Sequence, residues 1–503
     1  MGTRSPLPTL LAAALLAACS PVGPNFTPSK PDVVDFRTDT APGSEHARQE
    51  SKPVLTPVDP QWWQTFHDPE LNALVQRAAT GNFDIRAATV RLAESRAQRG
   101  VTASDALPKL NANTSATGEL LSAKGAVSLL TSGDPATQSN GAGATSGAFP
   151  SHSSIPPFSL YQAGFDASWE LDIWGRVRRE IESADASVQA SAEDRHGVVL
   201  STTAEVARDY IQLRGVQTTL RITRDNLATA RETADLIRSR ARAGLSSDLD
   251  IAQAQAQVEE NAAELPQLEQ QEAQAINQIG LLLGLAPHAL QAELSTAKPV
   301  PPVPPQVPLG LPSELAERRP DVREAEARLH AATADIGVAT ADFYPRVTFS
   351  GSVALQAVQF HDLGSLSAGT YGIGPSITLP IFDGGRIRRT VDLRTSQQRE
   401  AAIGYQHAVL QAFTEVDNAL IAYSREQDRH DHLAAQVIQS DNALALARDR
   451  YRQGLADYLV VLTAQRTALA AEQELATSTT TISTNLVALY KALGGGWDAE
   501  PNG

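Results

Sequence analysis

Two stretches of the chain carry the same pattern of apolar and polar positions. In the first, Tyr161, Ala163, Phe165, Ala167, Trp169, Leu171 and Ile173 alternate with Gln162, Gly164, Asp166, Ser168, Glu170 and Asp172. In the second, Tyr371, Ile373, Ile377, Leu379 and Ile381 alternate with Gly372, Gly374, Ser376, Thr378 and Pro380. A period of two belongs to a strand with one apolar and one polar face. After Gly175 and Gly385 the spacing becomes helical and basic, so each strand is expected to run directly into a helix.

The rest of the chain follows the same plan twice. Helical spacing covers Leu71 to about Leu107, and Leu110 to Leu120 is a weak strand candidate. Residues 122–157 are a Gly/Ser/Ala/Thr stretch without a core-forming pattern, read as loop. The first junction strand then leads into a helix from Arg176 to about Ala243, 68 residues without a proline. At 1.5 Å per residue that is roughly 100 Å. Gly244 breaks it, and a second helix runs from Ser247 to about Leu285. Lys298 to Pro308, with six prolines, reads as a linker. The second round has a helix from Pro312 to Asp342, a strand from Val347 to Leu355, the second junction strand, a long helix from Arg386 to Gln453 broken at Gly454, and a last helix from Tyr458 to Leu493. Tyr161 and Tyr371, Glu205 and Glu415, Gly244 and Gly454, and Gly284 and Gly494 are all 210 residues apart, whereas Pro108 and Pro345 are 237 apart. One spacing across independent landmarks indicates an internal duplication, with 27 additional residues between the strands of the first copy. The expected organisation is a signal peptide at 1–18, an extended arm at 19–60, a first repeat at 61–297, a linker at 298–311 and a second repeat at 312–503.

Charge and cysteine usage narrow the function. Lys plus Arg number 42 against 57 Asp plus Glu, a net charge of −15, which disfavours nucleic acid as a partner. The single cysteine, Cys19, precludes an intramolecular disulfide. It follows a short apolar run, Leu7 to Ala18, in the sequence Leu16-Ala17-Ala18-Cys19. That run is too short to span a bilayer and reads as a secretory signal, and its end resembles a bacterial lipobox, in which Cys19 would be acylated after cleavage. No other segment reaches 18 consecutive apolar residues.

Helices of this length would suit a periplasmic coiled-coil scaffold that opens no pore. The strands argue instead for a membrane barrel, because four strands cannot close one alone and an open sheet needs partners. Apolar residues facing lipid and polar or small ones facing a lumen give the observed alternation. Aromatic residues, among them Trp169, Trp174, Phe343, Tyr344, Tyr371 and Phe382, cluster at the strands and their ends. Strand count leaves dimer, trimer and tetramer open.

Four blocks then carry a resemblance: WWQTFHDPEL from Trp62, RRPDVREAEARLHAATADIGVATADFYPRVTFSG from Arg318, LPIFDGGRIRR from Leu379 and GLADYLVVLTAQ from Gly454. The chain resembles the TolC/OprM outer-membrane efflux proteins, in particular the NodT-like lipoproteins of resistance-nodulation-division systems, over nearly everything after Cys19. The resemblance implies a mostly α fold with a small β part: a homotrimer with four antiparallel strands per protomer, twelve in the barrel, continuing into a long periplasmic helical barrel. It implies an outer-membrane exit duct without cofactor, working with a periplasmic adaptor and an inner-membrane pump.

The same resemblance assigns the turns at Gly244 and Gly454 to the periplasmic end, with Arg242, Gly244, Leu245, Arg452, Gly454 and Leu455 as the tips that meet the adaptor. C-capping glycines between antiparallel helices would also look like this. Asp250 falls on the family's first-repeat gate aspartate, with Asp248 and Asp457 nearby, while Val460 and Thr463 stand where the second repeat usually has aspartates. A ring of carboxylates concentrates cations and resists closure, although helix starts favour acids in any case. His430 and His432 lie two apart on a helix and point away from each other, so they are not read as a metal pair. No catalytic motif is present, and the chain is not expected to be an enzyme.

Overall fold

The computed structural model describes residues 21–28, 51–120 and 157–497. The signal segment, Cys19 and the Gly/Ser-rich stretch up to residue 156 lie outside the described residues. In chain order the elements are β1 (Lys52–Val54), a 3-10 turn at Trp62–Phe66, α1 (Pro69–Gly81), α2 (Phe83–Ser104), β2 (Lys109–Glu119), β3 (Phe158–Leu171), α3 (Arg176–Arg242), α4 (Asp248–Leu282), α5 (Gln291–Leu294), β4 (Gln306–Pro308), α6 (Pro312–Arg318), α7 (Pro320–Ala341), β5 (Arg346–Ala357), β6 (Gly369–Thr378), α8 (Arg386–Arg452) and α9 (Tyr458–Ala492). Two short 3-10 turns separate β5 from β6.

The duplication appears in the element bounds. Helices α3 and α8 are 67 residues each and α4 and α9 are 35 each, offset by 210 at both ends. Helices α2 and α7 are 22 residues each, offset by 237. Along the long helices Val206, Tyr210, Leu213, Gln217 and Leu220 in α3, and Val416, Leu420, Tyr423 and Gln427 in α8, are buried, while His430, in the place of Leu220, is half-buried.

Three expectations are corrected. The helix expected from Leu71 to Leu107 divides at Asn82, whose backbone is extended and whose Oδ1 accepts the N–H groups of Asp84 and Ile85, starting a new helix. The helix expected from Pro312 to Asp342 divides at Arg319, which precedes Pro320 and is forced out of the helical region. The proline-rich linker is not structureless, since β4 pairs in parallel with β1 in the arm, Pro53 opposite Val307. Helix α4 also runs through Pro266, against the usual helix-breaking effect of proline.

Strands β2, β3, β5 and β6 form one antiparallel sheet in that order. Its register sorts side chains by face. One set of cross-strand rows holds Ala112, Phe165, Val353 and Tyr371; Leu110, Ala167, Gly351 and Ile373; and Leu171, Val347 and Ile377. The intervening rows hold Asn111, Asp166, Ser352 and Gly372, and Lys109, Ser168, Ser350 and Gly374. On the polar face Asn111 Nδ2 donates to Asp166 Oδ2 at 3.2 Å, and Asn113 donates to the same carboxylate. The apolar face lies open within the chain: Tyr371 is 84% exposed and Ile373 72%.

The chain divides into two compact units that do not follow the repeats. One comprises residues 98–184 and 333–396 with the start of the arm, and contains the four-stranded sheet and both strand-to-helix junctions. The other comprises residues 26–97, 185–332 and 397–503 and is helical apart from the β1–β4 pair. The core of the second unit gathers Trp62, Phe66, Leu74, Tyr210, Ile279, Leu486 and Tyr490. Trp62 stacks on Tyr490 at 5.2 Å, and its indole Nε1 donates to the carbonyl of Gly495 at 3.0 Å.

Candidate functional site

The turns at the far ends of α3 and α8 are built identically. Gly244 and Gly454 both take φ +75°, the left-handed conformation that ends a helix at least cost to glycine. Leu245 N–H donates to Arg240 O and Gly244 N–H to Ala241 O, both at 2.9 Å. In the second copy Leu455 N–H reaches Arg450 O at 2.8 Å and Gly454 N–H reaches Tyr451 O at 3.0 Å. These paired bonds satisfy carbonyls that the helix end would otherwise leave open. Arg242, Arg450 and Arg452 of the last turns are exposed and, with the half-buried Arg240, lie where the helix dipole favours cations. Leu245 and Leu455 are 66% and 65% exposed, and Leu249 and Leu459 in the next turns are exposed too, so each tip presents two leucines to solvent.

The helices that leave the tips start differently. Ser247 caps α4 through a reciprocal pair, with Asp250 N–H donating to Ser247 Oγ at 3.2 Å and Ser247 N–H donating to Asp250 Oδ2 at 2.9 Å. Asp250 is half-buried, while Asp248 is exposed in the same first turn. In the second copy Asp457 stands at the cap without a side-chain bond, and Val460 occupies the position of Asp250. The three aspartates are thus all at helix starts, and only Asp250 has its carboxylate engaged by the backbone.

Sequence reasoning missed the residues that join the tips. Arg240 Nη1 donates to Arg452 O at 3.3 Å, and the Arg240 guanidinium lies 4.8 Å from the centre of the Tyr451 ring. Tyr451 OH and Ser246 Oγ share a hydrogen bond at 3.1 Å. The visible signal was that Tyr451 stands where the first copy has Ala241, an aromatic exchanged for a methyl at the last helical turn. Tyr451 and Tyr458 pack with Leu227, Ile237, Val258 and Leu462 in a small apolar cluster behind the tips. Burial pushes the Tyr458 phenol above its ordinary range, and the neighbouring Tyr451 adds to the shift. Arg466 ties α9 to α4, donating to Gln257 Oε1 and Glu260 Oε2 at 2.6 Å each. Among the described residues no group of three or more His, Cys, Asp or Glu is placed to hold a metal ion.

The start of the arm is held at the first junction. Val22 N–H donates to Trp174 O at 3.0 Å. The Arg179 guanidinium donates to Val22 O at 3.3 Å and to Asn25 Oδ1 at 2.6 Å. Gly175 takes φ +82°, and a Cβ there would lie 2.4 Å from the Pro21 side chain, so the arm can pass only over a glycine. Trp174 stacks on Tyr344 at 4.7 Å and donates to Pro345 O at 2.9 Å.

Comparison with known proteins supplies the context. The chain matches the family described as Outer membrane efflux protein twice, over residues 74–285 and 311–495, once in each repeat. It is 34% identical over 445 residues to the pyoverdine export outer membrane protein OpmQ of Pseudomonas aeruginosa, covering 88% of this chain and 89% of that one. It is 33% identical to the outer membrane protein OprJ of the same organism, covering 97% and 95%. Its structure resembles that of the outer-membrane channel OprN with a TM-score of 0.82 and 34% identity, over 95% of this chain and 99% of the other.

Proposed function

Given that the chain belongs to the outer membrane efflux protein family and is an efflux channel component rather than an enzyme, we propose that it is the passive exit duct of a tripartite pump, assembled as a homotrimer. The observation that carries this reading is the sheet, with one apolar face open to its surroundings, one polar face and, among the described residues, two unpaired edges, β2 and β6. Lipid covers such an apolar face, a polar face suits a water-filled lumen, and edges are removed by closing the sheet with other copies. Three copies would give twelve strands, within the range of outer-membrane barrels.

Three finer assignments follow. Cys19 carries the lipid anchor. In support, Pro21 and Val22 are seated where β3 gives way to α3, which is where a chain leaving the membrane would need them. The exposed leucines and arginines of the two tips, Arg242, Leu245, Arg452 and Leu455 at turns set by Gly244 and Gly454, meet the periplasmic adaptor, through which the duct serves an inner-membrane resistance-nodulation-division pump. Asp250, Asp248 and Asp457 line the periplasmic constriction, with a single strong acidic ring from Asp250 instead of the family's two.

Purified protein in planar lipid bilayers should give discrete ion-conducting channels. A coiled-coil scaffold would give none, and that result would end the duct reading. Radiolabelled palmitate should enter the wild type and not Cys19→Ser.

A further inference from the structure

The two strand-to-helix junctions carry the same arginines, but only one set is neutralised. In the first, Arg176 pairs with Glu170 at 2.8 Å and Glu180 at 2.5 Å, Arg178 with Asp172 at 3.2 Å, and Arg179 with Glu182 at 2.7 Å. At the second junction, 210 residues on, the arginines recur as Arg386, Arg388 and Arg389. Their four carboxylate partners become Pro380, Phe382, Thr390 and Asp392. Asp392 alone remains acidic, 3.5 Å from Arg389, and both side chains are largely exposed, so the pair contributes little. Asp383 lies near Arg386, but its carboxylate accepts the N–H groups of Gly385 at 2.9 Å and Ile387 at 2.8 Å. Among the described residues neither Arg386 nor Arg388 has a carboxylate within ion-pair distance. The side chain of Arg179 is 3% exposed and that of Arg389 85%.

What leads into these cations is apolar. Ile373 and Ile377 belong to the open face of the sheet, and beyond the end of β6 the apolar side chains of Leu379, Ile381 and Phe382 are exposed, Phe382 at 92%. Ile387, buried beneath the first turn of α8, fixes the rotation of the helix, and Arg386 and Arg389, three apart, share a side of it.

We propose that the second junction binds the headgroup of an anionic phospholipid of the periplasmic leaflet, one site per chain despite the duplicated motif. The guanidinium groups of Arg386, Arg388 and Arg389 meet the phosphate, for which their planar forks are suited. The acyl chains lie along Phe382, Ile381 and the apolar rows of β6, and Phe382 marks the boundary, where aromatic rings are favoured. Unneutralised cations that directly continue a lipid-facing wall would be met first by lipid phosphate. The proposal rests on reading that wall as lipid-facing.

The test uses full-length protein purified in detergent, stripped of lipid and titrated with phosphatidylglycerol or phosphatidylethanolamine, with bound lipid counted by native mass spectrometry. Each arginine near an anionic surface strengthens binding about five-fold. The triple variant Arg386→Gln, Arg388→Gln, Arg389→Gln should therefore lose phosphatidylglycerol binding by at least about ten-fold. Its phosphatidylethanolamine binding, where an ammonium group offsets the phosphate, should fall by less, and its bilayer conductance should not change. A triple variant of exposed arginines on α3, Arg221→Gln, Arg224→Gln and Arg238→Gln, should bind as the wild type does. If the junction triple fails to assemble, Arg388→Gln alone should show the loss, at about five-fold. Unchanged phosphatidylglycerol binding in the junction variants overturns the proposal. So does retained lipid with dissociation of the oligomer, which would give the arginines to carboxylates of a neighbouring copy, and so does full competition by inorganic phosphate, which would make this a simple anion site. Failure of the wild type to conduct would strike the duct reading instead.

Discussion

Asp250 combines two physical roles that a substitution can separate. Its carboxylate accepts the Ser247 N–H at 2.9 Å and so helps to start α4, and it also brings a negative charge to a tip where the second copy has Val460. Asp250→Asn keeps an oxygen for the cap and removes the charge, whereas Asp250→Ala also forfeits about 1 kcal/mol of capping. In single-channel recordings, block by a trivalent cation such as La3+ should weaken by about five-fold or more in Asp250→Asn, since an exposed charge pair is worth about 1 kcal/mol. Unchanged block would place the constriction elsewhere. Val460 was legible in the sequence as its counterpart through the 210-residue register, and Asp250 itself was singled out as a gate residue only by the family resemblance. Its engagement in a capping box was not, because a Ser-x-x-Asp spacing reports only the option of a reciprocal bond. The bridge from Arg240 to Arg452 and Tyr451 left only an indirect trace, the tyrosine that replaces Ala241 in the second copy, since it joins residues more than 200 apart.

Among the elements, the sheet gives the sharpest contrast. Ser352 and Val353 are neighbours in β5, one in a polar row beside Asp166 and the other in an apolar row between Phe165 and Tyr371. A lysine facing lipid near mid-bilayer costs about 2–4 kcal/mol, and one facing the lumen far less. Val353→Lys should therefore lower the amount of heat-stable oligomer in the outer membrane, while Ser352→Lys should leave it near wild type and alter conductance. Equal losses in both would mean that the apolar rows do not face lipid. The alternation that separates the two faces could be read directly from the sequence, as could the long helices, because period and length are local properties. The breaks at Asn82 and Arg319 were passed over, although both have local causes: an Asn that caps the next helix, and a residue that precedes proline. The pairing of β1 with β4 had no such cause to find. It joins segments about 250 residues apart, each too short and too proline-rich to announce a strand.

For the molecule as a whole, the second unit is closed by the segment that follows α9, Gly495 and Trp497 above all. Trp62 is fully buried, stacked on Tyr490 and bonded to Gly495 O, and Trp497 Nε1 donates to Arg318 O at 3.1 Å. Truncation after Leu493 leaves the strands, junctions and tips intact in sequence but uncovers the Trp62 indole and frees its N–H. Loss of one buried hydrogen bond of this kind costs about 1–3 kcal/mol, and the exposed ring adds to it. The truncated chain should melt at a lower temperature than the full chain while conducting normally at 25 °C in the fraction that assembles. An unchanged melting temperature would show that the tail is dispensable.

The same closure sets a timetable. A secreted chain emerges N-terminus first, so Lys52–Val54 wait for Gln306–Pro308, Ser51 N–H waits for Gln427 Oε1, and Trp62 waits for Gly495. Each partner arrives later than the one before, and Gly495 is the last of the three. Until then the first aromatic cluster has no lid and Lys52–Val54 have no strand to lie against, so the segment from Ser51 to Phe66 matures after helices that follow it in the chain.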